Sequence, residues 1–134
     1  MSAALFEASP YARFLGMRLE GEGEARHAVL PFAPHLIGNA MLPAIHGGVL
    51  GGFLEITALA KLSQARPGER LAKPVDINIE YFRPAGPRDT FARAVIRRAG
   101  RRIANVRVEA WQEGPEKPVA ALHGHFLLRV EEGS

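Results

Sequence analysis

From His46 to about Gln64 the chain reads as one helix that stays apolar nearly all round until Lys61. A helix with a single apolar stripe lies on a core; one that is apolar on every side has to be wrapped by the rest of the chain. Everything after this helix reads as strand, so a sheet must do the wrapping. Val75, Ile77, Ile79 and Tyr81 alternate with Asp76, Asn78, Glu80 and Phe82, the period of a strand with two unlike faces. Arg83-Pro84-Ala85-Gly86-Pro87 breaks that run. Thr90 to Arg98 is a second strand, turning at Ala99-Gly100-Arg101. Arg102 to Gln112 is a third, with Ala104, Val106, Val108 and Ala110 on one face, and Pro118 to Val130 is a fourth after the turn at Glu113-Gly114-Pro115-Glu116.

Before the helix, residues 3–14 read as a short helix interrupted at Pro10. Leu15 to Gly21 and Glu24 to Phe32 read as a hairpin around Gly21-Glu22-Gly23. Residues 33–45 carry Pro34, Gly38, Asn39 and Pro43 and read as a loop with room for one helical turn. Two strands, one long buried helix and four further strands make an α+β pattern in a single domain, 1–134. A strongly curved antiparallel sheet of about six strands around one central helix satisfies all of it.

Composition narrows the function classes. An apolar fraction of 47% suits a folded globule. No apolar run reaches the roughly 18 to 20 residues that span a bilayer, and the start of the chain lacks the pattern of a signal peptide. The chain has no cysteine, which excludes disulfides, thiolate metal sites and cysteine nucleophiles. A cytoplasmic protein that engages no membrane is the expectation. The net charge is +3, but Arg83, Arg88, Arg93, Arg97, Arg98, Arg101, Arg102 and Arg107 fall within 25 residues against one acid, Asp89. Such a cluster suits phosphates or is a solvated hairpin surface. No nucleic-acid motif or aromatic interleaving accompanies it, so nucleic acid is not an expected partner.

The helix itself carries the candidate chemistry. Gly47 and Gly48 stand in its first turn, and Arg66-Pro67-Gly68 ends it. Gly51 and Gly52 cost helix propensity, about 1 kcal/mol each relative to alanine, but let a backbone or ligand come close. Glu55 is the only acid between Leu36 and Gly68. A lone carboxylate among apolar neighbours is costly to bury without compensation, which marks it as a candidate for chemistry.

These residues carry a resemblance. Phe14-Leu15-Gly16-Met17, Asn39 ahead of His46-Gly47-Gly48, Glu55 nine residues past the histidine, and the run Val75-Asp76-Ile77-Asn78-Ile79-Glu80-Tyr81-Phe82-Arg83-Pro84-Ala85 resemble the hotdog-fold acyl-CoA thioesterases of the PaaI type, in the 4-hydroxybenzoyl-CoA thioesterase superfamily. The resemblance covers almost the whole length and implies the hotdog fold. In two places the chain departs from the family's pattern. Asn39 stands one residue further from the histidine than is usual, with Pro43 between, so a one-residue bulge is expected in that loop. Pro74 stands where some members have a serine or threonine.

Thioester hydrolysis needs a polarised carbonyl and an activated water or a carboxylate nucleophile. Free N–H groups and the dipole at a helix N-terminus stabilise an oxyanion. The N–H of Gly47 is placed for that role, and the resemblance implies the same; Gly48 serves close packing or substrate approach. Glu55 is the expected base or nucleophile. The resemblance implies that His46 orients the loop or bonds the thioester, that Asn39 holds the water or the carboxylate, and that one site combines the helix carboxylate and His-Gly loop of different subunits of a homodimer, with a dimer of dimers as an extension. Arg83, Arg97, Arg98 and Arg101 are candidates for the CoA phosphates, and no cofactor or metal is expected. His123 and His125 share a strand face, but a metal there lacks a third ligand. Phe53, Leu54, Leu59, Leu62 and Trp111 are candidates for an acyl pocket. Two alternatives share the fold: a hydroxyacyl dehydratase using His35 and Glu55, and an acyl-CoA-binding protein without turnover.

Overall fold

The structure, a computed structural model, describes residues 3–39, 42–66 and 70–129; the side chains at 3, 4, 39, 42, 43, 70 and 129 lie outside that description. The long helix, α3, runs Gly47–Ala65, after two short helices, α1 (Ala3–Ala8) and α2 (Pro10–Leu15). Ser9 separates the two short helices: its hydroxyl accepts the N–H of Ala12, and Pro10 takes the first helical position, where no donor is needed. Gly16, at φ 73°, closes α2 in the left-handed conformation. That closure delays the first strand, β1, to Arg18–Glu20, where the sequence predicts it from Leu15.

β2 is His27–Leu30, and it pairs antiparallel with β1 across a 3-10 turn at Gly23–Ala25. After α3 come β5 (Arg70–Tyr81), β6 (Thr90–Ala99), β7 (Ile103–Trp111) and β8 (Pro118–Arg129). Together they form one six-stranded antiparallel sheet in the order β1-β2-β6-β7-β8-β5. Helix α3 packs on one face of it. Leu50, Phe53, Leu54, Ile56, Ala58, Ala60 and Leu62 are buried against Ala92, Ala94, Ala104, Val106, Val108, Ala110, Ala120, Leu122 and Phe126. Burying each large side chain of this set contributes about 1.5–3 kcal/mol. The curved sheet around a central helix is therefore present, and it is the hotdog arrangement.

Two further features differ from the sequence reading. Residues 33–45 are not only a loop: after a 3-10 turn at Pro34–Leu36, β3 (Ile37–Asn39) and β4 (Leu42–Ile45) form a small second sheet. Its register slips at Asn39, which faces both Leu42 and Ala44, an irregularity of the bulge kind. β5 begins at Arg70, ahead of the predicted start at Val75, and runs straight through Pro74. Proline survives there because β5 is the last strand of the sheet and its pairing with β8 shifts register between Pro74 and Asp76.

Candidate active site

The start of α3 is held by the segment between β5 and β6 and by the 3-10 turn ahead of β3. The Ile45 N–H donates to the carbonyl of Ala85 at 2.8 Å, and the His46 N–H donates to Leu36 at 2.8 Å. His46 is the N-cap residue: its carbonyl accepts from Val49 and Leu50, and its Nδ1 accepts the N–H of Gly48 at 2.9 Å. The imidazole packs close to β3, where a Cβ on Gly38 would stand 2.8 Å from His46 Cδ2. With Nδ1 accepting, the neutral ring carries its proton on Nε2, and His46 is exposed.

The Gly47–Gly48 peptide is clamped at both ends. Its N–H is taken by His46, and its carbonyl accepts the hydroxyl of Tyr81 at 2.8 Å. The preceding N–H, that of Gly47, makes no hydrogen bond among the described residues. It is the one aimed, dipole-backed donor left at this helix start, where an anionic oxygen is favoured. Tyr81 is a site residue that the sequence reading missed. Its place at the end of an alternating run signals a strand, and nothing local signals a partner 34 residues away.

Glu55 lies two turns further on. It is half-buried, on the less covered face of α3 with Gly48, Gly51 and Gly52, and it has no hydrogen bond or ion pair among the described residues. Leu59 continues that face. A rise of 1.5 Å per residue puts Glu55 about 12 Å along the axis from Gly47. The aromatic rings of α2 border the same face: a Cβ on Gly52 would stand 2.7 Å from Tyr11 Cε1, Tyr11 stacks on Phe14 with centroids 6.3 Å apart, and Phe14 meets His35 edge-on at 4.8 Å. Of the expected pocket residues, Phe53, Leu54, Leu62 and Trp111 are buried in this chain, and only Leu59 reaches the open helix face.

The arginines separate into two groups. Arg83 is exposed and follows Tyr81, in a segment whose Ala85 carbonyl holds Ile45, so it stands beside the helix start. Arg97, Arg98 and Arg101 belong to the β6–β7 hairpin, at the far end of α3, where Arg66 donates to the Gly100 carbonyl at 2.8 Å. A 19-residue helix separates that end from Gly47, about 28 Å; the chain does not bring these three to its own helix start. The side chain of Asn39 lies outside the described residues. His123 and His125 do lie on one exposed face, bonded to Asn105 and Asp76. The hydrogen bond from His125 holds the Asp76 carboxyl below its ordinary pKa.

β5 is an open edge. It is twelve residues long, pairs only with β8 among the described residues, and exposes Val75 (60%) and Tyr81 (53%). Long edges with exposed apolar side chains are normally covered by another strand.

Comparisons with known proteins bear on this arrangement. The family model described as thioesterase superfamily matches residues 42–119, the stretch from β4 into β8. The medium/long-chain acyl-CoA thioesterase YigI of Escherichia coli (strain K12) is 31% identical over 119 residues, covering 78% of this chain and 76% of YigI. Among solved structures, a Chromobacterium violaceum protein is 35% identical, with a TM-score of 0.75 over 98% of this chain and 90% of its own. A Bacillus halodurans protein solved with CoA shares the fold at a TM-score of 0.81 and 21% identity, over 93% of this chain and 82% of that one.

Proposed function

The chain belongs to the thioesterase superfamily and is an enzyme that hydrolyses thioesters, and on that premise we propose that its substrate is an acyl-CoA bound across two copies of the chain. The observation that carries this reading is the N–H of Gly47 at the start of α3, which makes no hydrogen bond among the described residues. The thioester oxygen accepts from that N–H, and the Nε2 proton of His46 supports the same oxygen. Charge that develops on the oxygen is met by donors already in place, which is the main source of rate in acyl transfer.

Glu55 of the partner subunit supplies the second half. The open helix face, the exposed β5 edge and the axial separation of Glu55 from Gly47 all support a second copy that brings its carboxylate to the thioester. As base, Glu55 takes a proton from water while the water oxygen bonds to the carbonyl carbon. The tetrahedral intermediate then expels the CoA thiolate, the C–S bond breaks, and the proton passes to sulfur. As nucleophile, Glu55 attacks the carbonyl carbon, the C–S bond breaks and the CoA thiolate leaves, giving an anhydride with the acyl group; water then opens the anhydride, releasing the acid and restoring the carboxylate. Asn39 stands in the strand that carries the His46 ring and serves to hold the water or the carboxylate. The acyl chain follows the glycine face past Tyr11, Phe14 and Leu59, and Arg83 holds a CoA phosphate at the rim.

The test is release of free thiol from a series of acyl-CoAs by the purified chain. Turnover that depends on Glu55 and on the acyl group supports the proposal. Tight acyl-CoA binding without thiol release, or hydration of enoyl thioesters in its place, overturns it.

A further inference from the structure

The face of the sheet turned away from α3 holds a second concavity, of about 570 Å³, lined by Arg97, Arg98, Asn105, Arg107 and His123. Its construction depends on a bulge. Ile96 pairs with Val106 and Arg98 pairs with Asn105, so Arg97 is an extra residue on β6. In a regular strand consecutive side chains point to opposite faces, and one of two adjacent arginines would be driven into the core. The inserted residue lets both line the same hollow. Across the sheet, Arg107 faces His123 directly.

The polar atoms left facing the hollow are mostly donors. Arg97 and Arg98 have no ion pair or hydrogen bond among the described residues. Arg107 gives its Nε to Glu109 at 3.1 Å and keeps its terminal nitrogens. His123 Nε2 lies 2.9 Å from Asn105 Oδ1, which leaves the Asn105 amide nitrogen as a donor. The bordering acid on the β5 side, Asp76, is occupied by His125 at 2.9 Å. Three guanidinium groups around one hollow repel each other unless an anion joins them, and planar forks of donors suit phosphate oxygens.

We propose that this bulge-built hollow is a binding site for a small ligand carrying two linked phosphates, either free pyrophosphate or the diphosphate of a nucleotide. Its size is that of a small-molecule cleft. The carboxylates of Asp76 and Glu109 bound the cationic footprint, which disfavours a long nucleic-acid backbone. The sheet separates the hollow from α3, so the site is distinct from the thioester site of the same chain.

The test is calorimetric titration of the purified full chain with pyrophosphate, ADP, CoA and monophosphate, at fixed salt. Pyrophosphate and at least one of the other diphosphates should bind more tightly than monophosphate. Arg97→Ala with Arg98→Ala should weaken pyrophosphate at least about tenfold, the scale of losing charge-assisted hydrogen bonds. Arg101→Ala with Arg102→Ala removes the same charge from the adjoining turn and should change affinity little. ADP binding with CoA excluded identifies a nucleotide as the source; CoA binding that Arg97→Ala with Arg98→Ala weakens identifies the coenzyme's own diphosphate. Equal weakening by the two double variants, loss of binding in Arg83→Ala instead, tighter binding of duplex DNA than of pyrophosphate, or no pyrophosphate binding at millimolar concentration would overturn the proposal.

Discussion

Nδ1 of His46 accepts the backbone N–H of Gly48 at 2.9 Å and so removes that donor from the start of α3. The consequence is selective: of the two glycine N–H groups there, only that of Gly47 stays open to a substrate oxygen. His46→Ala should cost about 1 kcal/mol of stability through loss of the cap and should lower kcat as the helix start loosens. His46→Asn, which caps well, should restore the stability. Thermal unfolding and steady-state kinetics of the two variants check this; equal stability of His46→Ala and wild type would contradict the capping role.

Tyr81→Phe keeps the ring beside Gly47 and deletes the hydroxyl that holds its carbonyl at 2.8 Å. One hydrogen bond of about 0.5–1.5 kcal/mol is lost. Since it orients the peptide next to the oxyanion donor, the loss should show as a kcat lowered roughly threefold to tenfold, with KM nearly unchanged. A shift confined to KM would make Tyr81 a binding residue instead.

Glu55→Gln should lower kcat by at least about 100-fold, the scale of a positioned acid–base group, with circular dichroism unchanged. Glu55→Asp should retain part of the activity. Single-turnover hydrolysis in ¹⁸O-water tests the anhydride route: label reaching Glu55 shows that water opened an anhydride at the glutamyl carbonyl. A folded Gln variant with near wild-type turnover would remove Glu55 from the reaction.

The β5 edge should pair with that of a second copy. Light scattering at micromolar concentration is expected to give a dimer or a dimer of dimers. Val75→Asp puts a charge on an exposed edge position and should shift the protein toward inactive monomer. Mixing Glu55→Gln with an inactive helix-start variant should recover part of the activity when subunits exchange. A fully active monomer would show that one chain completes the site alone.

Arg83→Ala should raise KM for acyl-CoA and leave KM for the matching acyl-pantetheine, which lacks the nucleotide, almost untouched. Loss of uniform binding appears in KM rather than kcat. Equal KM changes for both substrates would take phosphate recognition away from Arg83.

Much of the fold was legible because its signals are local. The all-apolar helix, the period-2 runs and the Gly-Pro breaks each reside in a few consecutive residues, and the last three strands, β6, β7 and β8, formed near their expected bounds. β3 and β4 were not legible. They are three and four residues long, punctuated by Gly38 and Pro43, and their register is irregular. The early start of β5 was hidden by Pro74, which reads as a strand boundary and is tolerated only because β5 is an edge.

For the site, sequence alone determined that a helix would start at paired glycines behind a histidine and carry one isolated carboxylate. Tertiary structure alone decided which amide stays free, which helix face stays open, and that Tyr81 reaches Gly47 while Arg97 and Arg98 turn to the opposite side of the sheet. Spacing along a chain sets which face of its own helix or strand a residue occupies. Strand pairing, a single bulge and the direction of one helix set what that face meets, and those depend on contacts between residues far apart in sequence.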